Sequence, residues 1–157
     1  MQSFSATLIA SIVTNLVVTN VVVHILGFKS ESLRVYYSKL NMKAVLLDIT
    51  SLLWGTLLAQ RIAKDRWVDQ MVWAIAIQVV HDVAFGMYLK RSASQSTTMS
   101  IFRAYSQEHG KAILITDAVF MIVSVVLSRL FSTWDTRDTM LIGTVTLYTH
   151  LLLLDSL

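Results

Sequence analysis

The stretch that decides the fold is "VDQMVWAIAIQVVHDVAFGMYL", residues 68–89, in which most side chains are apolar. As an α-helix rising about 1.5 Å per residue, it is long enough to cross the roughly 30 Å hydrocarbon core of a bilayer. Trp67 and Lys90 flank it, and both residue types are common at membrane surfaces. We therefore predict a transmembrane helix here, with His81 and Asp82 inside it.

Further apolar runs of similar length extend this pattern along the chain. They cover residues 6–28, 42–62, 112–131 and 139–157. The sequence therefore predicts an all-α, polytopic transmembrane helix bundle of five spans, forming a single membrane domain over residues 1–157. The second and fifth spans are short once their charged residues are placed at the membrane surface, so a four-span bundle is the alternative.

Composition agrees with a membrane protein and excludes several kinds of site. The chain is 55% hydrophobic and 15% charged, and its mean hydropathy is +0.61. It has no cysteine, which excludes disulfides, thiolate metal sites and cysteine nucleophiles. Its net charge of +3 comes from basic residues that flank the apolar runs. We therefore expect the lipid bilayer as a partner and no nucleic acid, and a homo-oligomer or a larger membrane assembly stays open.

The distribution of basic residues predicts an orientation. With five spans, eight lysines and arginines fall on one side and five on the other, which also holds the N-terminus. The larger group is Lys29, Arg34, Lys39, Lys43, Lys90, Arg91, Arg103 and Lys111. Because cytoplasmic loops are enriched in lysine and arginine, we predict an N-terminus outside or in a lumen and a C-terminus in the cytosol.

The longest connection between spans, residues 90–111, has two parts. It begins with "RSASQSTTMS", a serine-rich solvated piece. In the following "IFRAYSQEHG", the side chains of Ile101, Phe102 and Tyr105 share one helical face, and Gly110 is a stop signal. We predict a short interfacial helix near residues 99–109; a helix that simply covers the end of the bundle is an equal alternative.

Ionisable residues inside the spans are predicted to form one polar layer. Adjacent spans run in opposite directions, so residues near the end of one lie level with residues near the start of the next. Counted this way, six side chains fall within roughly 5 to 12 Å of the cytosolic boundary. They are Asp48, His81, Asp82, Asp117, His150 and His24. Gln78 joins them, since it shares a helical stripe with His81 and Asp82.

Three functions compete for this layer. The first is structural: the side chains hydrogen-bond across helices and hold the bundle together. The second is a proton or ion pathway, for which the outer half offers only Asn15, Gln60 and Gln70 as a continuation. Under both, the chain is a non-catalytic integral membrane protein.

The third is a metal- or haem-dependent intramembrane enzyme. Its candidate metal ligands are His81, Asp82, Asp48 and Asp117, which supply imidazole and carboxylate groups. However, the chain has no HExxH motif, no Glu-x-x-His pair and no bis-histidine spacing. The sequence names no cofactor, and a non-catalytic protein is favoured over an enzyme.

Part of the chain also resembles a known group of proteins. The segments "IQVVHDVAFGMYLK" and "FRAYSQEHGKAILITDAVFMI" contain a His-Asp pair followed by an aromatic residue, then the run from Tyr105 to Asp117. Over residues 77–122 the chain is similar to uncharacterised small multi-span membrane proteins of large double-stranded DNA viruses of algae and protists. This resemblance implies a viral membrane protein, with the membrane beneath a capsid as one location, and it transfers no catalytic role.

Overall fold

A computed structural model describes residues 3–20 and 30–154. Within these ranges the chain is all-helical, with seven helices and no strand. The helices are α1 (Phe4–Asn20), α2 (Glu31–Leu40), α3 (Met42–Ala63), α4 (Trp67–Arg91), α5 (Thr97–His109), α6 (Ala112–Phe131) and α7 (Thr136–Leu154). The predicted all-α class is confirmed.

Helix α1 lies at the centre of the bundle, where it packs against α3, α6 and α7. Helix α4 packs against α3 and α6 on the other side. Thr7, near the start of α1, contacts Gln60 and Ser128, near the ends of α3 and α6. Helix α1 is therefore antiparallel to both, and α3 and α6 run in the same direction.

Three described helices, α3, α4 and α6, are long and apolar enough to cross a membrane. This is fewer than the five predicted spans, although it supports an integral membrane protein. The predicted first span, 6–28, coincides with α1 as far as Asn20 and then leaves the described residues. The fifth coincides with α7, which is not among the three. Both stay predictions as membrane spans.

Two short helices, α2 and α5, pack together at one end of the bundle, which we call the inner end. The opposite end, with the start of α1, is the outer end. The backbone N–H of Ser32 donates to Glu108 Oε2 at 3.0 Å, and Ser30 Oγ lies 2.7 Å from His109 Nε2. The sequence predicted a helix near 99–109, which is confirmed, but α5 is paired with α2 and buries Ile101. It thus matches the alternative of a helix that covers the bundle's end.

Local signals explain where these helices begin and end. Ser30 and Ser96 cap the starts of α2 and α5 by accepting hydrogen bonds from Leu33 and Met99. Gly110 follows α5 with a φ of 49°, a left-handed conformation that suits glycine. Asn41, between α2 and α3, has a φ of 46°. Asparagine tolerates this region better than most residues, and the resulting tight turn folds α2 back against α3.

Close packing of α1 on α7 depends on Gly143. A Cβ atom added there would lie 2.2 Å from Ile9 Cδ1, with both Cγ atoms of Ile9 also within 3.2 Å. Small residues let helix backbones approach closely, which is the usual way helices associate inside a membrane. Gly86 on α4 makes a contrast, since a Cβ there would meet nothing within 4 Å.

We predict that Gly143→Ala lowers the free energy of unfolding by about 1 to 3 kcal/mol, because Ile9 and the helix backbone must move to admit the methyl group. Gly86→Ala is the matched control and should be neutral or slightly stabilising, since alanine is the better helix former. Thermal unfolding in detergent compares the two. Equal stability of both variants would show that α1 and α7 are not closely packed.

Candidate functional site: a polar cavity in the inner half

Polar side chains of α1, α3 and α6 form a buried network in the outer half of the bundle. Thr7 Oγ1 lies 2.8 Å from Ser128 Oγ, and Gln60 Nε2 donates to both at 3.2 and 3.1 Å. One turn further in, Thr56 Oγ1 donates to Ser124 Oγ at 3.1 Å. Ser11 Oγ lies 3.5 Å from the same atom. We call these six residues the outer network.

The outer network is a set of hydrogen bonds between helices with little access to water. Five of its side chains are fully buried, and Gln60 is 8% exposed. The sequence carried a signal for it, because each helix contributes two polar residues four positions apart. These pairs are Thr7 and Ser11, Thr56 and Gln60, and Ser124 and Ser128. Of these six residues, only Gln60 was predicted to have a function, together with Asn15 and Gln70 as part of a pathway, and the network that joins three helices was not predicted.

The predicted polar layer surrounds a cavity of about 340 Å³ in the inner half. Five of its seven members line this cavity: Asp48, Gln78, His81, Asp82 and Asp117. His150 is buried on α7 and does not line it, and neither ring nitrogen has a hydrogen-bond partner among the described residues. His24 lies outside the described residues.

Two tyrosines of α2 bind the carboxylate of Asp48 on α3. Tyr36 Oη donates to Oδ1 and Tyr37 Oη to Oδ2, both at 2.8 Å. Tyr37 Oη also lies 3.3 Å from Thr19 Oγ1 on α1. Hydrogen bonds to a carboxylate are about twice as strong as neutral ones, so this contact fixes α2 on the bundle as a roof over the cavity.

The electrostatics keep these phenols as donors. Burial raises the pKa of both Tyr36 and Tyr37 far above the ordinary value, and the negative charge of Asp48 raises each further. Burial likewise raises the pKa of Tyr105 on α5, and the charge of Asp117 adds to it. All three therefore carry their protons at neutral pH.

On α4 the polar residues form one linked group, as the stripe of Gln78, His81 and Asp82 predicted. Gln78 Nε2 donates to Asp82 Oδ1 at 2.8 Å, and His81 Nδ1 lies 3.1 Å from the same oxygen. Ser51 of α3 donates to Gln78 Oε1 at 3.4 Å. The other oxygen of Asp82 is buried and has no hydrogen-bond partner among the described residues. His81 is more open than predicted, with 55% of its side chain exposed.

Three carboxyl groups line the cavity, and the basic residues among its described lining are the histidines His81 and His109. Asp48, Asp82 and Asp117 line it from three helices, α3, α4 and α6. None of the described residues that line it is a lysine or an arginine. Carboxylates in a poorly solvated interior must be hydrogen-bonded, protonated or paired with a positive charge. Asp48 has its phenols, and one oxygen of Asp82 has Gln78 and His81, whereas the other oxygen of Asp82 has no such partner among the described residues.

Aromatic rings form much of the remaining wall. We call these residues the aromatic wall: Tyr36, Tyr37, Phe85, Phe102 and Tyr105. Phe102 makes edge contacts with Tyr36 and Phe85 at centroid distances of 5.6 and 5.2 Å, and Tyr36 stacks on Tyr105 at 5.7 Å. Rings in these geometries stabilise one another. The wall therefore joins α2, α4 and α5 around the cavity.

Four residues of the cavity had no predicted role in a site. Tyrosine is common at membrane surfaces, and the structure instead places Tyr36, Tyr37 and Tyr105 against the polar layer. His109 lies in α5 with 9% of its side chain exposed and lines the cavity.

A helical signal for α2 was present in the sequence. Leu33, Tyr36, Tyr37 and Leu40 recur at i, i+3, i+4 and i+7.

The metal hypothesis finds no support in the side-chain arrangement. Among residues 3–20 and 30–154, no three histidine, aspartate or glutamate side chains are grouped so that they could hold a metal ion. The predicted ligands His81, Asp82, Asp48 and Asp117 share a cavity but not a coordination geometry.

We predict that Thr56→Val, which keeps the shape and removes the hydroxyl, lowers the free energy of unfolding by about 1 kcal/mol, because Ser124 loses an interhelical partner. Thr50→Val on the same helix is the matched control, since Thr50 is exposed. Chemical unfolding in mixed micelles measures both. A Thr56→Val protein as stable as its control would mean that the outer network does not stabilise the bundle.

We predict that Tyr37→Phe loosens the roof. The variant loses one of the two phenol bonds to Asp48, worth about 2 kcal/mol, and hydrogen exchange of the α2 amides should accelerate while α6 keeps its protection. Tyr88→Phe is the control, because Tyr88 is 52% exposed. Unchanged exchange in α2 would contradict the role assigned to the Tyr37–Asp48 bond.

Comparison with known proteins finds no similarity that would assign a family: no protein-family model, no curated protein and no solved structure matches this chain.

Proposed function

We propose that the chain is a five-span, non-catalytic integral membrane protein that binds a proton or another cation in its inner cavity and passes it through the membrane. The outer network then serves assembly of the bundle, and the inner layer serves binding. The sequence left a structural and a transport function open for a single polar layer. Here the two functions belong to two separate sets of residues.

The packing directions support five spans. Each successive member of the series α1, α3, α4, α6 and α7 would cross in the opposite direction, so α1 should be antiparallel to α3 and α6 and parallel to α7. The contact of Thr7 with Gln60 and Ser128 fits the first requirement. Gly143, the eighth residue of α7, lies against Ile9, the sixth residue of α1, which fits the second.

Sidedness is proposed from the basic residues. The inner end carries Arg34, Lys39, Lys43, Lys90, Arg91, Arg103 and Lys111 on or beside α2 and α5. The positive-inside rule favours a cytosolic inner end. The cavity would then open toward the cytosol, with the N-terminus outside.

The observation that carries the proposal is the unbalanced acidity of the cavity. Asp82 and Asp117 line one cavity, and no lysine or arginine is among its described lining residues. A charged residue deep in a membrane costs several kcal/mol unless it is paired or faces water, so such residues are usually functional. A bound proton or cation supplies the balance. The polar side chains of the outer network all bond to one another, whereas in the inner layer the second carboxylate oxygen of Asp82 is buried without a hydrogen-bond partner among the described residues.

The outer half supports a gated rather than a permanently open path. Met121 and Val125 are fully buried there, beside Ala59 and Ala74. A Cβ on Gly55 would overlap Met121 Cε, so little space remains between α3 and α6. A cation in the cavity therefore needs the outer helices to separate before it can leave on the far side.

The location in a virion membrane stays a proposal that rests on the resemblance of residues 77–122 alone. The alternative, a metal-dependent enzyme, is not carried forward, since the described carboxylates and imidazoles lack a metal-binding arrangement.

We predict that liposomes containing the protein dissipate an imposed proton or potassium gradient faster than empty liposomes, and that Asp117→Asn abolishes the difference. An amide can still hydrogen-bond across helices, so this variant should fold. An entrapped pH-sensitive dye reports the proton flux with valinomycin present for charge balance, and a potassium-sensitive dye reports the potassium flux with a protonophore in place of valinomycin.

Glu31→Gln is the matched control, because Glu31 is exposed at the inner end and does not line the cavity. The proposal fails if the wild-type protein moves no more ions than empty liposomes. It also fails if Asp117→Asn, with a wild-type melting temperature, conducts as well as Glu31→Gln.

A further inference from the structure

A second concavity adjoins the cavity at the inner end. It is a groove between α4, α5 and α6, and five residues line both spaces: Asp82, Gly86, Leu89, Ser106 and Ile113. The groove also has three basic residues, Lys90, Arg103 and Lys111. An acidic, aromatic space is thus continuous with a basic one.

We infer that the two spaces together bind a zwitterionic ammonium phosphate, with a substituted ammonium group in the cavity and its phosphate in the groove. This deepens the proposed function by naming the class of cation, and it rests on the assignment of the cavity as a cation site.

The cavity suits an organic ammonium better than a bare metal ion. Its volume of about 340 Å³ lies in the range of sites for small organic molecules. The rings of Tyr36, Phe85 and Phe102 pack at centroid distances between 5.2 and 5.6 Å. Ring faces attract alkylated ammonium groups, and the carboxylates of Asp82 and Asp117 add the opposite charge. The free oxygen of Asp82, buried beside the cavity, is available to such a group.

The groove explains why the ligand should also carry a negative charge. Lys90 and Lys111 attract a phosphate, so a ligand that carries a phosphate beside its ammonium group gains a contact that a simple cation lacks. Arg103 is held in place, with its guanidinium donating to the carbonyl oxygens of Leu89, Ser92 and Ser94. It closes the end of α4 and keeps a positive charge at the groove, while both lysines are exposed.

Two sources offer this chemistry: the headgroup of a phospholipid in the inner leaflet and a free phosphorylated amino alcohol. Both present an ammonium and a phosphate a few bonds apart. The groove lies at the inner end, beside the basic residues expected at the membrane surface, so either source can reach it.

The test is a binding series on the wild-type protein in a maltoside detergent, which lacks both groups. Phosphocholine is compared with choline, which lacks the phosphate, and with 3,3-dimethylbutyl phosphate, in which carbon replaces the charged nitrogen. We expect phosphocholine to bind about tenfold or more tightly than either. Because the series needs no variant, a folding defect cannot obscure it.

Variants test which space binds the ammonium group of the ligand and which binds its phosphate. Asp82→Asn should remove the preference for phosphocholine over 3,3-dimethylbutyl phosphate, and Lys90→Gln with Lys111→Gln should remove the preference over choline. Lys43→Gln is the matched control, since Lys43 is exposed at the inner end and lines neither space. It should bind like the wild type.

Nanodiscs distinguish the sources. Weaker phosphocholine binding in phosphatidylcholine discs than in phosphatidylglycerol discs supports a lipid headgroup, and equal binding supports the free molecule. The inference is overturned if the three probes bind equally or if none binds. Ion flux that depends on Asp117 together with no phosphocholine binding would overturn this inference alone. Phosphocholine binding without flux would instead overturn the proposed passage of ions.

Discussion

The structure depends on how carboxylates are accommodated where water is scarce. The carboxylate of Asp48 has its hydrogen-bond donors within the fold: Tyr36 and Tyr37 donate to its two oxygens at 2.8 Å, and these bonds attach α2 to α3. That attachment in turn positions the aromatic wall and closes the inner end. Gln78 and His81 satisfy only one oxygen of Asp82, and its other oxygen is buried without a hydrogen-bond partner among the described residues, so we propose that a proton or another cation balances the remaining charge.

The outer network and the inner layer lie at different depths and therefore have different roles. The outer network consists of neutral hydroxyls and one amide that bond to one another, so it stabilises the helix contacts and leaves no space. The inner layer consists of ionisable groups around a cavity. In a bilayer, where apolar association between helices is weak, the first arrangement is a common way to hold a bundle together. The second arrangement costs free energy, because ionisable groups are held away from water, and such groups inside a membrane are usually functional.

Much of the fold was predictable from periodicity and length. The apolar runs 42–62, 68–89 and 112–131 coincide with α3, α4 and α6, because an uninterrupted apolar run has few alternatives to a helix in a membrane. Depth along the helices also predicted that Asp48, His81, Asp82 and Asp117 lie at one level, since adjacent spans run in opposite directions. It could not place His150, because depth does not say which way a side chain faces around the helix axis.

The phenol contacts were not predictable in the same way. Helix α2 has only ten residues and several charges, so its apolar stripe of Leu33, Tyr36, Tyr37 and Leu40 was a weak signal. Its docking depends on the left-handed turn at Asn41, which decides whether α2 lies on the membrane surface or folds back over the cavity. The outer network was not predicted because serine and threonine side chains in a helix can also bond to their own backbone. Their spacing therefore does not identify a partner on another helix.

The central claim is that a proton or a cation balances the charge of the inner cavity. Infrared spectroscopy of the carboxyl groups tests it most directly, with the wild-type protein compared with Asp117→Asn at neutral pH before and after phosphocholine is added. The account predicts a protonated-carboxyl band in the wild type that is reduced in the variant and decreases when the ligand binds, as the ammonium replaces the proton. Identical spectra for the two proteins, unchanged by the ligand, would contradict it.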